Sequence, residues 1–94
     1  MTRAEIQDTV IQALVSVAPE VGSATLKADV PLRDQVDLDS MDFLRFVMEL
    51  HKQVGVAVPE ADYGKLASVA EAVDYVAARL GLPAPLTGNF RQAL

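Results

Sequence analysis

Cysteine is absent from this chain of 94 residues, and histidine occurs once. Without thiols the chain has no disulfide, no thiolate metal ligand and no cysteine nucleophile. The one histidine, His51, has no second histidine or cysteine with which to share a metal ion, so we expect no metal site. These absences remove thiol chemistry and cysteine- or histidine-based metal centres from the candidate functions.

Basic residues and long apolar runs are also scarce. The 8 lysines and arginines stand against 13 acidic residues, which gives a formal net charge of -5 with histidine neutral. A surface of this sign repels nucleic acid and anionic lipid, so we expect neither as a partner. No apolar run approaches the roughly 20 residues that cross a bilayer, and the first residues do not resemble a signal peptide. We expect a monomeric, cytoplasmic protein.

Apolar residues are plentiful enough for one packed core. Hydrophobic residues make up 51% of the chain and charged residues 22%, which is ordinary for a globular domain. The length fits a single domain, and such a domain can fold without disulfides. We place this domain at residues 1–82.

Helical patterns dominate the first half of the chain. Thr2 and Glu5 have the spacing of a capping box, which predicts the start of a first helix, and Pro19 and Gly22 end it. Residues 19–38 show no clear period and predict a long loop, which is uncommon unless it is functional. Four apolar residues are spaced to attach this loop to the core: Val30, Leu32, Val36 and Leu38.

Two further capping signals complete the fold prediction. Asp39 is a good N-cap for a second helix from Ser40 to about residue 53, and Ser68 with Glu71 starts a last helix that ends at Gly81. Residues 60–66 have room for a short helical turn. We therefore predict a small all-α bundle of three longer helices and one short one, followed by a flexible tail at 83–94.

The second predicted helix carries two apolar stripes. At 100° per residue, one stripe forms a core face; its members are Phe43, Phe46, Val47, Leu50 and Val54. Met41, Leu44 and Met48 form the other stripe, at about 100° to 160° from Phe43. Either the long loop covers this second stripe, or the stripe is a partly exposed docking surface, for which methionine is well suited. Both hold if the loop covers only part of the stripe.

Ser40 stands where the second helix begins. A helix N-terminus suits an anion such as a phosphodiester, although an Asp-Ser pair at a helix start is most often a cap. Ser40 has no base to make it a nucleophile in its own right, because His51 lies about 16 Å further along a continuous helix. The sequence indicates a protein that is acted upon, and we do not expect an enzyme.

The residues around Ser40 carry a resemblance to a known family. The run at 36–44, Val-Asp-Leu-Asp-Ser-Met-Asp-Phe-Leu, resembles the modification site of acyl carrier proteins. The likeness continues in register through residues 46–50, 58–60, 65–69 and 72–76, and covers roughly residues 2–81. Asp-Ser-Met alone is a weak motif, but its place at the head of an amphipathic helix makes the resemblance specific.

This resemblance implies a carrier with a covalent arm. Ser40 would receive 4'-phosphopantetheine from coenzyme A through a phosphopantetheinyl transferase that uses Mg²⁺, and Asp39 would help present the serine. The arm ends in a thiol that holds acyl cargo as a thioester, supplied by an acyl-loading ligase or acyltransferase. The family's bundle often shelters the acyl chain, and the matching cavity lining here would be Phe46, Val47, Leu50, Leu66 and Val69.

The chain departs from the family on the exposed side of the second helix. Fatty-acid-synthesis carriers are acidic where this chain has Arg45, His51 and Lys52. Because surface charges govern partner choice, we expect a specialised carrier for a fatty-acid, lipid or polyketide-type pathway. Its expected docking residues are Met41, Leu44, Arg45, Met48 and Lys52.

Two alternatives remain open at this stage. The first is an aminoacyl or peptidyl carrier on the same arm, although peptidyl carriers usually show Gly-Gly-x-Ser where this chain has Asp37-Leu38-Asp39-Ser40. The second is an unmodified helical interaction module, which would not need Ser40.

Overall fold

The computed structural model describes residues 1–19 and 26–82, and within them every regular element is helical. The elements in chain order are α1 (Arg3–Val17), α2 (Leu32–Gln35), α3 (Ser40–Val54), a 3₁₀ helix (Glu60–Leu66) and α4 (Val69–Arg79). The all-α prediction is confirmed. The predicted flexible tail at 83–94 lies outside the described residues.

The predicted caps form the hydrogen bonds that their spacing requires. Thr2 Oγ1 accepts from the Glu5 amide at 3.2 Å, and the Thr2 amide donates to Glu5 Oε1 at 2.8 Å, which completes a capping box for α1. The backbone hydrogen bond from Thr2 is the main reason why the pKa of Glu5 lies below its ordinary value. At α4, Ser68 Oγ accepts from the Glu71 amide at 3.1 Å.

The core lies around α1, which packs against both α3 and α4, while the 3₁₀ helix packs on α4. Its largest fully buried side chains come from α1, α3, the 3₁₀ helix and α4: Ile6, Val10, Leu14, Phe46, Leu50, Leu66, Val69 and Val76. Burying a side chain of this size stabilises the fold by about 1.5 to 3 kcal/mol. The apolar faces predicted from periodicity therefore meet in one cluster.

The predicted long loop contains one helical turn that the sequence did not indicate. The four residues of α2 are too few to show a period, so no pattern could reveal them. Leu32 is buried, and its amide donates to the Ala67 carbonyl at 2.7 Å, which pins the turn against the end of the 3₁₀ helix. The number of helical segments in the described residues is therefore five, one more than predicted.

A glutamine side chain holds this loop in shape. Gln35 Oε1 accepts from the Lys27 amide at 2.8 Å, while Gln35 Nε2 donates to the Lys27 carbonyl at 2.7 Å and to the Val30 carbonyl at 3.0 Å. One side chain thus satisfies three backbone groups that a loop would otherwise leave to water.

Candidate functional site

Ser40 is the first residue of α3, and the preceding residue caps the helix. Asp39 has extended backbone angles, and its Oδ1 accepts from the Asp42 amide at 2.8 Å. The cap therefore belongs to Asp39 and not to the serine. The chain leaves α3 at Gly55, whose positive φ of 73° suits a residue without a Cβ.

The Ser40 hydroxyl is exposed and takes part in no hydrogen bond among the described residues. The first-turn amides of a helix lack intrahelical acceptors and carry the positive end of the helix dipole, so a negative group attached here is favoured. His51 lies eleven residues further along the unbroken α3, about 16 Å away along the axis. No histidine base can therefore reach Ser40, and the arrangement suits a serine that receives a group from another protein.

A cavity of about 820 Å³ opens beside Ser40. Leu38, Phe43 and Leu44 give it apolar walls, and the Phe43 and Tyr63 rings form an edge-to-face pair with a centroid distance of 6.0 Å. The remaining lining residues come from α2, the 3₁₀ helix, their flanks and the N-cap of α3: Pro31, Leu32, Arg33, Asp39, Glu60, Tyr63, Gly64 and Ala67. Space for an attached group and part of its cargo thus lies next to the serine.

The five residues predicted to line an acyl cavity lie behind this opening. Phe46, Val47, Leu50, Leu66 and Val69 are each 4% exposed or less, and none of them lines the cavity at Ser40. They form a closed core in this structure. Their role in sheltering cargo stays a prediction, since it requires the core to open.

The second apolar stripe of α3 faces outward. Met41 is 61% exposed, Leu44 37% and Met48 63%. The described part of the loop leaves all three exposed, although loop residues such as Pro31 and Leu38 line a cavity together with Leu44. That the stripe is a docking surface stays a prediction. Arg45 and Lys52 are exposed on the same helix, and neither belongs to an ion pair among the described residues.

Three comparisons with known proteins point the same way. The family model described as "Phosphopantetheine attachment site" matches residues 8–76. An acyl carrier protein of Chlorobium phaeovibrioides is 34% identical over 76 residues, which cover 81% of this chain and 96% of that protein. The chain belongs to the acyl carrier protein family. An acyl carrier protein of Campylobacter hominis is 32% identical over 72 residues, covering 77% of this chain and 85% of that protein.

The fold agrees with this family. A solved structure of acyl carrier protein from Enterococcus faecalis superposes with a TM-score of 0.69 at 27% identity, covering 83% of this chain and 98% of that chain. Acyl carrier proteins are carriers and not enzymes, and they bear a covalent 4'-phosphopantetheine. The Ser40 hydroxyl is exposed, has no hydrogen bond among the described residues and has open space beside it, so it fits such a group.

A cluster of hydrogen-bonded side chains, Asp62, Tyr75 and Arg79, links the 3₁₀ helix to α4. We call it the clamp, and periodicity could not reveal it. Tyr75 Oη on α4 donates to Asp62 Oδ2 at 2.7 Å, and Arg79 Nη2 donates to Tyr75 Oη at 2.8 Å. The hydrogen bond from Tyr75 is the main reason why the pKa of Asp62 lies below its ordinary value. The clamp fixes the 3₁₀ helix, whose Tyr63 lines the cavity beside Ser40.

Two negative findings concern the described residues alone. No group of three or more histidine, aspartate or glutamate side chains is arranged to hold a metal ion there. None of the helices in residues 1–19 and 26–82 is both long and apolar enough to cross a membrane.

Proposed function

We propose that this chain carries acyl intermediates on a 4'-phosphopantetheine arm joined to Ser40 Oγ. The observation that carries the proposal is the exposed hydroxyl on the first turn of α3, directly after a residue that already caps the helix. A serine needed for capping would lose that hydrogen bond on modification. Ser40 has no such bond among the described residues, so the attachment leaves the cap of α3 intact.

The attachment step needs a second protein because this chain supplies no base. The Ser40 oxygen forms a bond to the phosphorus that bears the pantetheine, while the phosphoanhydride bond of coenzyme A breaks and adenosine 3',5'-bisphosphate leaves. The hydroxyl proton passes to a base of the phosphopantetheinyl transferase. Asp39 lies exposed beside the serine and presents it to the transferase and its Mg²⁺, with its Oδ1 still bound to the Asp42 amide.

When attached, the arm supplies a terminal thiol on which cargo is held as a thioester. The chain's own contribution is to bind and shield that cargo. Leu38, Phe43 and Leu44 offer apolar surface in the cavity next to the attachment point, and contact with such surface removes an acyl chain from water. The closed core that includes Phe46 and Leu66 gives a second place for the chain if the helices separate.

The exposed face of α3 is the proposed docking surface for partner enzymes. Met41, Leu44 and Met48 provide adaptable apolar contact, while Arg45 and Lys52 select among partners by charge. The partners are the transferase, an acyl-loading ligase or acyltransferase, and the enzymes of a fatty-acid, lipid or polyketide-type pathway in the cytoplasm. The basic residues favour a specialised carrier over the general fatty-acid carrier.

Intact mass spectrometry tests the attachment. The purified protein and a Ser40→Ala variant are incubated with a promiscuous phosphopantetheinyl transferase and coenzyme A. We expect one phosphopantetheine on the wild type and none on the variant. An unmodified wild type that is folded by circular dichroism, or a modified Ser40→Ala protein, would refute the assignment of Ser40.

A second experiment tests the specialised carrier. The modified protein is offered to fatty-acid-synthesis enzymes with basic docking patches, beside the general carrier and an Arg45→Glu/Lys52→Glu variant. We expect slow elongation on the wild type and faster elongation on the variant. Equal rates on the wild type and the general carrier would contradict the proposal.

A further inference from the structure

A recess lies between α1 and α3, and Met48 of the exposed apolar stripe is one of its walls. It measures about 460 Å³, and its walls are formed by the end of α1 and one face of α3: Ser16, Val17, Arg45, Met48, Glu49 and Lys52. The recess thus contains one apolar side chain of the docking surface and two cations. It lies outside the cavity at Ser40, whose lining shares none of these residues.

Neither cation of the recess belongs to an ion pair among the described residues. Glu49 is spaced to pair with Arg45 four residues before it and with Lys52 three residues after it. In the structure neither ion pair forms. Instead, Glu49 Oε1 accepts from Gln53 Nε2 at 3.0 Å, which draws the carboxylate along the helix away from Arg45. Two cations therefore stand against one carboxylate that already has a hydrogen-bond donor.

The arrangement of charge around α3 strengthens this point. With Phe43 at 0°, the arc from about 80° to 200° contains Met41, Leu44, Met48, Arg45, His51 and Lys52, and no acidic residue. The two acidic residues within α3 are Asp42 and Glu49. They lie outside this arc, at about 260° and 240°. On a chain of net charge -5, this arc is a local region of opposite sign.

We propose that the recess receives an acidic side chain of a partner enzyme, whose adjoining surface is apolar and covers Met48. A carboxylate seated there gains charge-assisted hydrogen bonds from Arg45 or Lys52, while Met48 loses its water contact. This inference rests on the proposed carrier function, because it assigns the surface to the enzymes that handle the cargo.

The position of the recess suits that role. Met48 lies eight residues after Ser40 on α3, about 12 Å along the helix axis. A partner anchored at the recess therefore has the rest of its surface over Leu44 and the first turn of α3. The anchor fixes the orientation of the enzyme relative to Ser40, which does not line the recess itself.

An NMR titration tests the proposal with defined probes. Nitrogen-15-labelled Ser40→Ala protein is titrated with a short helical peptide that presents glutamates beside a leucine, and with a matched peptide in which lysines replace the glutamates. We expect the glutamate peptide to shift the amide signals of Ser16, Val17 and Met48, and the lysine peptide to leave them unchanged. The shifts should shrink with salt, because the screening length falls from about 10 Å at 0.1 M to about 3 Å at 1 M.

Matched charge reversals distinguish binding at the recess from a general effect of the protein's net charge. Lys52→Glu should abolish the shifts, whereas Lys27→Glu, the same charge change on a loop residue outside the recess, should preserve them. Unmoved recess signals at millimolar glutamate peptide, equal shifts with both peptides, or equal losses in both variants would overturn the inference. Because the titrated protein lacks Ser40, these outcomes are independent of the mass-spectrometric test of attachment.

Discussion

Asp39 and Ser40 are neighbours in the sequence, but we expect different roles for them. Asp39 has a structural role, and Ser40 has a chemical one. Asp39 caps α3 through its hydrogen bond to the Asp42 amide, while the exposed Ser40 side chain bonds to nothing in the described residues. Replacing each by alanine therefore tests two different properties of the same helix start. Asp39→Asn is the matched control, since its amide oxygen can still accept from Asp42 but the charge is gone.

The magnitudes follow from these contacts. Loss of an N-cap acceptor costs about 0.5 to 2 kcal/mol, so Asp39→Ala should lower the free energy of unfolding by about 1 kcal/mol. In a domain of this size, 1 kcal/mol corresponds to a shift in Tm of about 4 to 8 °C. Ser40→Ala should change the free energy by no more than about 0.5 kcal/mol, the range of an exposed substitution. Asp39→Asn should stay close to the wild type, because asparagine and aspartate cap about equally well.

Two assays on the same four proteins decide the matter. Thermal unfolding by circular dichroism gives the stability order, and mass spectrometry with transferase and coenzyme A gives the modification. We expect Ser40→Ala to be stable and unmodified. We expect Asp39→Asn to be stable but modified more slowly, since it lacks the charge that we propose presents the serine to the transferase and its metal. A loss of more than about 2 kcal/mol in Ser40→Ala would refute this reasoning, as would a Tm for Asp39→Asn as low as that of Asp39→Ala.

Three further variants, with Met48→Ala as a control, test the core, the loop and the clamp. In chemical denaturation, Leu50→Ala should lower the free energy of unfolding by about 2 to 5 kcal/mol. The control Met48→Ala, at an exposed position, should change it by no more than about 0.5 kcal/mol. An unchanged denaturation midpoint for Leu50→Ala would contradict the assigned core face. Gln35→Ala removes three hydrogen bonds to the loop backbone and should lower the free energy of unfolding by about 1 to 3 kcal/mol. Amide hydrogen exchange at residues 27–30 should become faster. Unchanged exchange there would show that the loop conformation does not depend on Gln35. Tyr75→Phe should lower the Tm at neutral pH, because Asp62 loses the donor that depresses its pKa. That contribution is fully present above the unfolded carboxyl pKa of about 3.8 and is lost as the pH falls through the lower folded value, so the two Tm curves should converge in acid; a gap that stays constant to low pH would exclude the linkage.

Local signals predicted the longer helices well because each is encoded within a few residues. The capping pairs Thr2–Glu5 and Ser68–Glu71 form the predicted hydrogen bonds, and Gly55 ends α3. The one-turn helix α2 escaped prediction because it exists through the contact of Leu32 with Ala67, a residue distant in sequence. A single turn has too little cooperativity to form without such support.

The sequence also left open which apolar residues are buried and which are exposed. Periodicity assigned Phe46 and Met48 to different stripes of α3, but it could not say whether the loop covers the second stripe. In the described residues, α1 packs on α3, Phe46 is buried and Met48 is exposed. The cavity beside Ser40 was equally beyond prediction, since its walls come from three separate segments.

By itself, the sequence determined the helical class, the caps, the serine at the head of α3 and the family to which the chain belongs. These properties depend on residues that are close together in the sequence, and hydrogen bonds between such residues form within a single helix turn. The tertiary structure decided what surrounds that serine. The Tyr75–Asp62 clamp, the cavity at Ser40 and the recess of Arg45 and Lys52 join residues from different elements, and such contacts exist only once the hydrophobic core has fixed the helices in place.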